Sequence, residues 1–236
     1  MTTVGRTGTE TEMSDAVEVV ALLGEPVRRR LYEYVVAQGH AVGRDEAATA
    51  VGIKRPLAAF HLDKLAEEGL LEVEYRRLSG KKGPGAGRPA KLYKRSSNDI
   101  EVSLPHREYE LAARLFAEAL SGDGGPRPLG DVARSFGKEM ADEAKKRAGR
   151  QRGVKQLTRT AEEVLQDYGF EPFHDEDGNI RLRNCPFHAL SRQYTNLVCG
   201  MNLDIMRAMV EELGLERLEA KLEPQPGMCC VAFRKV

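Results

Sequence analysis

Apolar positions in the first seventy residues recur at helical spacing, then give way to alternation. The spacing predicts a helix from Ser14 or Asp15 through Leu23, with Asp15 and Glu18 set as a capping box. Gly24 interrupts it, and Pro26 stands where proline is tolerated, in the first turn of a second helix. Val27, Leu31, Tyr34 and Val35 give that helix one buried face, and Gly39 is its expected stop. A short helix is expected over Asp45 to Val51, broken by Gly52. The next has Pro56 in its first turn, the stripe Ala58, Leu62, Leu65, and an end near Gly69. Leu70 to Tyr75 then alternates as a strand, and Lys91 to Arg95 reads as its return. Between them Gly80, Gly83, Gly85 and Gly87 imply a long, flexible hairpin tip.

The pattern then returns to helices, expected over His106–Leu120, Leu129–Ala148 and Val154–Tyr168. Strands around Phe170–Phe173 and Asn179–Arg183 flank the turn Asp177-Gly178. A short helix is expected at Leu190–Thr195, and an amphipathic one after Asn202. A last hairpin is expected from Leu218–Leu222 and Cys229–Lys235 around Pro224–Gly227. The fold class is therefore α+β: an N-terminal winged helix-turn-helix, a helical middle, and a C-terminal small antiparallel sheet with helices. The expected boundaries are 1–13 for a disordered tail, 14–97 for a DNA-binding domain, 98–168 for a helical linker or dimerisation region, and 169–236 for a cysteine-containing domain.

The 236 residues suit two modest cores, with 41% hydrophobic and 31% charged residues. No apolar run is long enough for a bilayer, and no secretory leader is visible, so a cytoplasmic location without membrane contact is expected. Net charge is zero, with 36 basic and 36 acidic residues, and excludes nothing about nucleic acid. Its distribution is more informative. Arg76, Arg77, Lys81, Lys82, Arg88, Lys91, Lys94 and Arg95 form a run free of acidic residues. In the helix before it, Lys54, Arg55, His61 and Lys64 are expected off the apolar stripe, where they could reach base edges or phosphates. A second run, Lys145 to Arg159, reads as a solvated loop.

The segments LGEPVRRRLYEYV, GIKRPLAAFHLDKLAEEGLLE and GRPAKLY, within residues 15 to 96, resemble ArsR-type winged helix-turn-helix regulators. That resemblance implies a homodimer on a double-stranded DNA operator. No cysteine lies in this part of the chain, so the metal sites of the arsenic and zinc sensors do not carry over.

All four cysteines, Cys185, Cys199, Cys229 and Cys230, fall in the last quarter. Cys185 is expected to leave a strand. Cys199 is expected just before a helix, where the helix dipole would lower its pKa. Cys229 and Cys230 are expected on a strand, pointing to opposite faces, so that one of them ligates. The residues alone leave several readings open. They fit an iron–sulfur cluster, a zinc site joined by His188 through its C-x-x-H spacing, buried thiols without a ligand, or thiol chemistry at Cys199. LRNCPFHALSRQYTNLVCGMNLDIM followed by PQPGMCCVAF is similar to the C-terminal half of SufR-like regulators. The likeness implies an iron–sulfur cluster on Cys185, Cys199 and Cys229 or Cys230, control of a repressor by that cluster, and no enzymatic activity.

Overall fold

The computed structural model describes residues 10–77, 88–122, 125–150 and 153–236, with side chains from residue 16. The chain is a mixed α+β protein with two small antiparallel sheets. It divides into two compact units among the described residues, 10–102 and 103–236. No described helix is long and apolar enough to cross a membrane.

The N-terminal unit begins with α1, Glu10–Ala21, so Glu10 to Met13 are helical where a tail was expected. Residues 1–9 lie outside the described residues. After a short 3-10 turn, α2 spans Pro26–Ala37. The Glu25 carboxylate caps it, accepting from the backbone N–H groups of Val27 and Arg28. Strand β1, Val42–Gly43, leads into α3, Arg44–Val51, and α4 follows at Arg55–Glu67. Gly52 makes the turn between α3 and α4 at φ 71°, where a side chain would be strained. Strands β2, Leu71–Arg76, and β3, Ala90–Arg95, pair antiparallel, with β1 on the far side of β3. The expected hairpin tip, with Lys81 and Lys82, lies outside the described residues. Leu31, Val35, Ala58, Leu62, Leu65 and Tyr93 fill the core of this unit.

The second unit corrects the expected boundary at residue 168. Helices α5, Tyr109–Ser121, α6, Leu129–Ala148, and α7, Val154–Asp167, share one hydrophobic core with everything that follows. Leu111, Ala112, Leu115 and Ala119 of α5 are buried in that core, so the face considered for dimerisation packs on its own chain. The second basic run is helical at both ends rather than one loop, with Lys155 and Arg159 in α7, while Arg152 lies outside the described residues. Lys145 and Arg147 lie in the last turns of α6, paired with Glu212 and Asp167 respectively.

Strands β4, Pro172–His174, and β5, Ile180–Leu182, form the expected hairpin around Gly178. Helices α8, His188–Gln193, and α9, Thr195–Glu212, precede strands β6, Leu218–Leu222, and β7, Val231–Lys235. The sheet order is β4-β5-β7-β6, which places β7 in the interior. Helix α9 packs along α6 most closely at Gly137. A methyl group there would lie 2.2 Å from the Ile205 carbonyl oxygen and 2.9 Å from the Ala208 Cβ.

Candidate functional site

Two sets of candidate residues were expected, and each is drawn from one unit. In the N-terminal unit, α4 presents Lys54, Arg55, Leu57 and Phe60 to solvent at its N-terminal half. Phe60 is 62% exposed, the most exposed large apolar side chain on the helix. Arg76, Arg77 and Arg88 are also exposed. Arg55 pairs with Asp45 at 2.7 Å, Arg76 with Glu74 at 3.3 Å, and Lys64 with Glu68 at 2.6 Å. Such exposed pairs are weak and leave the cations exchangeable.

Two expected contact residues turn inward. His61 is buried, and its Nδ1 accepts from the Arg28 Nε at 3.4 Å. Burial lowers its pKa, so the ring is neutral at pH 7 and ties α4 to α2. It lies three residues after Ala58 and four before Leu65, inside the apolar stripe. Lys91 is drawn to Asp63 at 2.5 Å. Asp63 also accepts from the Tyr93 hydroxyl and from the Arg44 guanidinium, so β3, α3 and α4 meet at one carboxylate.

Burial alone would raise the Asp63 pKa, but hydrogen bonds from Lys91, Tyr93 and Arg44 outweigh it and hold it at about 2, against 3.8 normally. The folded state therefore binds this proton less readily than the unfolded chain. The stabilisation, about 2 kcal/mol, is present in full above pH 4 and is lost as pH falls toward 2. Asp63→Asn is expected to lower the urea midpoint of this unit at pH 7 and to flatten its decline between pH 4 and 2. An unchanged acid limb in the variant would disprove the assignment.

In the C-terminal unit the four cysteines come together from three chain segments. The segment holding Cys185 is fixed by buried Phe187, which meets Phe170 edge to face. Arg107 donates to the Asn184 carbonyl and to the Cys185 backbone oxygen, while the Asn184 amide donates to the backbone oxygens of His106 and Gly169. Cys229 is fixed by its N–H, which donates at 2.9 Å to the carbonyl of Leu182, the last residue of β5. Cys199 lies inside α9, not ahead of it. Cys229 and Cys230 precede β7, so strand alternation does not separate them and both sulfurs face the group.

The thiols influence one another most strongly as two pairs, Cys185 with Cys229 and Cys199 with Cys230. The two pairs sense each other, since Cys199 feels the charge on Cys185 and Cys229 that on Cys230. Cys185 is the acid of the group. Interactions with Cys229, the Phe187 backbone, Ser191 and the Arg107 charge lower its pKa despite burial. Cys199 behaves opposite to expectation. Burial and its bond to Cys230 push it up, because the thiol sits within the helix among apolar neighbours. A raised pKa disfavours the thiolate form that nucleophilic chemistry would use. Cys229 is raised by its bond to Cys185 and by burial.

The His188 side chain is exposed at the start of α8, and the thiols assemble without it. Among the described residues no three side chains of ligand type are placed to hold a single metal ion. The donor set itself, four soft sulfurs, is the kind that thiophilic metals and iron–sulfur clusters take.

Three neighbours went unpredicted: Arg107, Asn184 and Asn202. Asn202 lies three residues after Cys199 on α9, and its Nδ2 donates to the Cys229 Sγ at 3.2 Å. Helical spacing from a cysteine was the available signal for it. No family model, curated protein or solved structure matches the chain.

Proposed function

We propose that this chain is a DNA-binding transcription regulator, acting as a repressor and a homodimer. Its grip on a double-stranded operator is set by an iron–sulfur cluster held on Cys185, Cys199, Cys229 and Cys230. The observation that carries the proposal is that cysteines from three distant segments lie near enough to influence one another's ionisation, two of them buried and two partly buried. A partly buried thiol of lowered pKa at Cys185, with soft donors around it, suits thiophilic iron. When bound, a cluster supplies a centre that responds to electrons and oxidants. The protein's part is to hold the donors, shield them from water and steady Cys185 through Arg107, Ser191 and Phe187.

The order α3, tight turn, α4, then a β2–β3 hairpin supports a winged helix-turn-helix, with α4 as the recognition helix. Lys54 and the exposed arginines offer phosphate contacts, and Phe60 offers an apolar surface to thymine methyl groups. Lys54→Ala is expected to weaken binding on all sequences and to reduce the salt slope by about one unit. Phe60→Ala is expected to change preference at A·T positions instead. Gel-shift titrations at several salt concentrations test both, and equal behaviour of the two variants would remove α4 from the groove.

The cofactor is tested by anaerobic purification. Brown protein with stoichiometric iron and acid-labile sulfide supports the cluster, and its removal should change operator affinity. Colourless protein containing zinc would replace the cluster with the zinc alternative. Metal-free protein that takes up neither metal would end the sensor proposal.

A further inference from the structure

Asn202 is buried to 2% exposure in a helix face otherwise made of Val198, Cys199, Met201, Leu203, Ile205 and Met206. Its Nδ2 donates to the Cys229 sulfur at 3.2 Å, while its Oδ1 is buried with no hydrogen-bond partner. A half-satisfied amide is a poor core residue, since an apolar side chain of the same shape would leave no orphaned carbonyl. Packing therefore does not account for an asparagine at this place. The one bond that it makes goes to a thiol of the candidate site.

We infer that Asn202 is a positioning residue of the sulfur site, which aims its amide N–H at Cys229 and tunes that sulfur as a donor. The inference rests on the proposed function in taking Cys229 as a ligand. A ligand thiolate that accepts an N–H bond gives less charge to its metal, because part of its electron density is held by the proton. Removing the donor makes the sulfur a stronger electron donor. A bound cluster then becomes harder to reduce, and sulfur-to-metal charge-transfer absorption moves to lower energy.

Asn202→Leu keeps the volume and removes the amide. Asn202→Asp keeps the shape and replaces the donor with an acceptor. Two measurements separate this inference from the reading on which it rests. Cobalt(II) added anaerobically to the cofactor-free protein reports on the sulfurs without any cluster. Spectroelectrochemistry of cluster-loaded protein gives the midpoint potential. Circular dichroism checks that each variant is folded, and if the buried carboxylate unfolds Asn202→Asp, Asn202→Leu carries the test.

In both folded variants the cobalt–thiolate band is expected to shift to the red, and the potential to fall, further for Asn202→Asp. If wild-type protein holds no cluster yet the cobalt band shifts, the cluster reading fails and the role of Asn202 stands. If wild-type protein is loaded but neither band nor potential moves in a folded variant, Asn202 is a packing residue and the inference is overturned. Wild-type protein that takes up neither cobalt nor a cluster would overturn both.

Discussion

Gly137→Ala is expected to destabilise the C-terminal unit by at least about 2–3 kcal/mol. The added methyl would stand 2.2 Å from the Ile205 carbonyl oxygen, a backbone atom that no rotamer change can move. Helix α6 would have to withdraw from α9, disturbing a core in which its Ala133, Ala141, Ala144 and Ala148 are also buried. Dense interiors accommodate such shifts poorly. Gly200→Ala is the control, because it too lies in a helix of this unit but meets nothing within 4 Å. There the gain in helix propensity should leave stability unchanged or raise it by up to about 1 kcal/mol. Guanidinium denaturation of both variants provides the comparison. Equal midpoints would mean that the two helices do not approach as closely as described.

The second large effect concerns the sulfur group. Cys185→Ser and Cys199→Ala are each expected to lower bound iron and sulfide by more than about tenfold, since even supporting residues of metal sites commonly carry effects of about 10–100-fold. The two differ in what else they disturb. Cys185→Ser removes the acid of the group, the thiol whose pKa is lowered by Cys229, Phe187 and Ser191. Cys199→Ala removes a thiol that is protonated in the cofactor-free protein and affects the others less. Both should leave the N-terminal unit folded, because its core shares no residue with the sulfur group. Metal and sulfide analysis beside circular dichroism reads this directly. A full iron complement in Cys199→Ala would remove that residue from the ligand set.

Much of the fold could be read from the sequence where spacing and residue chemistry agree. Helices α6 and α7 match their expected limits to within a residue, and both C-terminal hairpins form around the expected glycines. Errors arose where chemistry was preferred to angular position. His61 falls on the buried stripe of α4 by spacing, yet its polarity suggested an outward side chain, while the apolar Phe60 is the one that faces solvent. In α6, Ala133, Gly137, Ala141, Ala144 and Ala148 recur every three or four residues. That spacing of small residues was a legible sign of close packing on another helix.

The sulfur group was legible in its members but not in its geometry. Cys199 is expected ahead of the helix that carries Leu203, Ile205 and Met206, but α9 begins at Thr195 and runs through it. Cys229 and Cys230 were assigned strand alternation, which begins only at Val231. The carboxamide of Asn202 and the guanidinium of Arg107 reach the group across the fold, and no local pattern announces such contacts.

The interior place of β7 in the sheet order β4-β5-β7-β6 bears on how the unit matures. Cys229 and Cys230 are expected to reach Cys185 only once β7, paired with β6, docks against β5 and closes a long loop. Until then the adjacent pair travels with the β6–β7 hairpin alone. Metal capture should accordingly follow this docking step in time, and amide protection of Ala232 and Phe233 during refolding should precede the uptake of iron. Colour developing before that protection would reverse the order and make the metal a template for the strand.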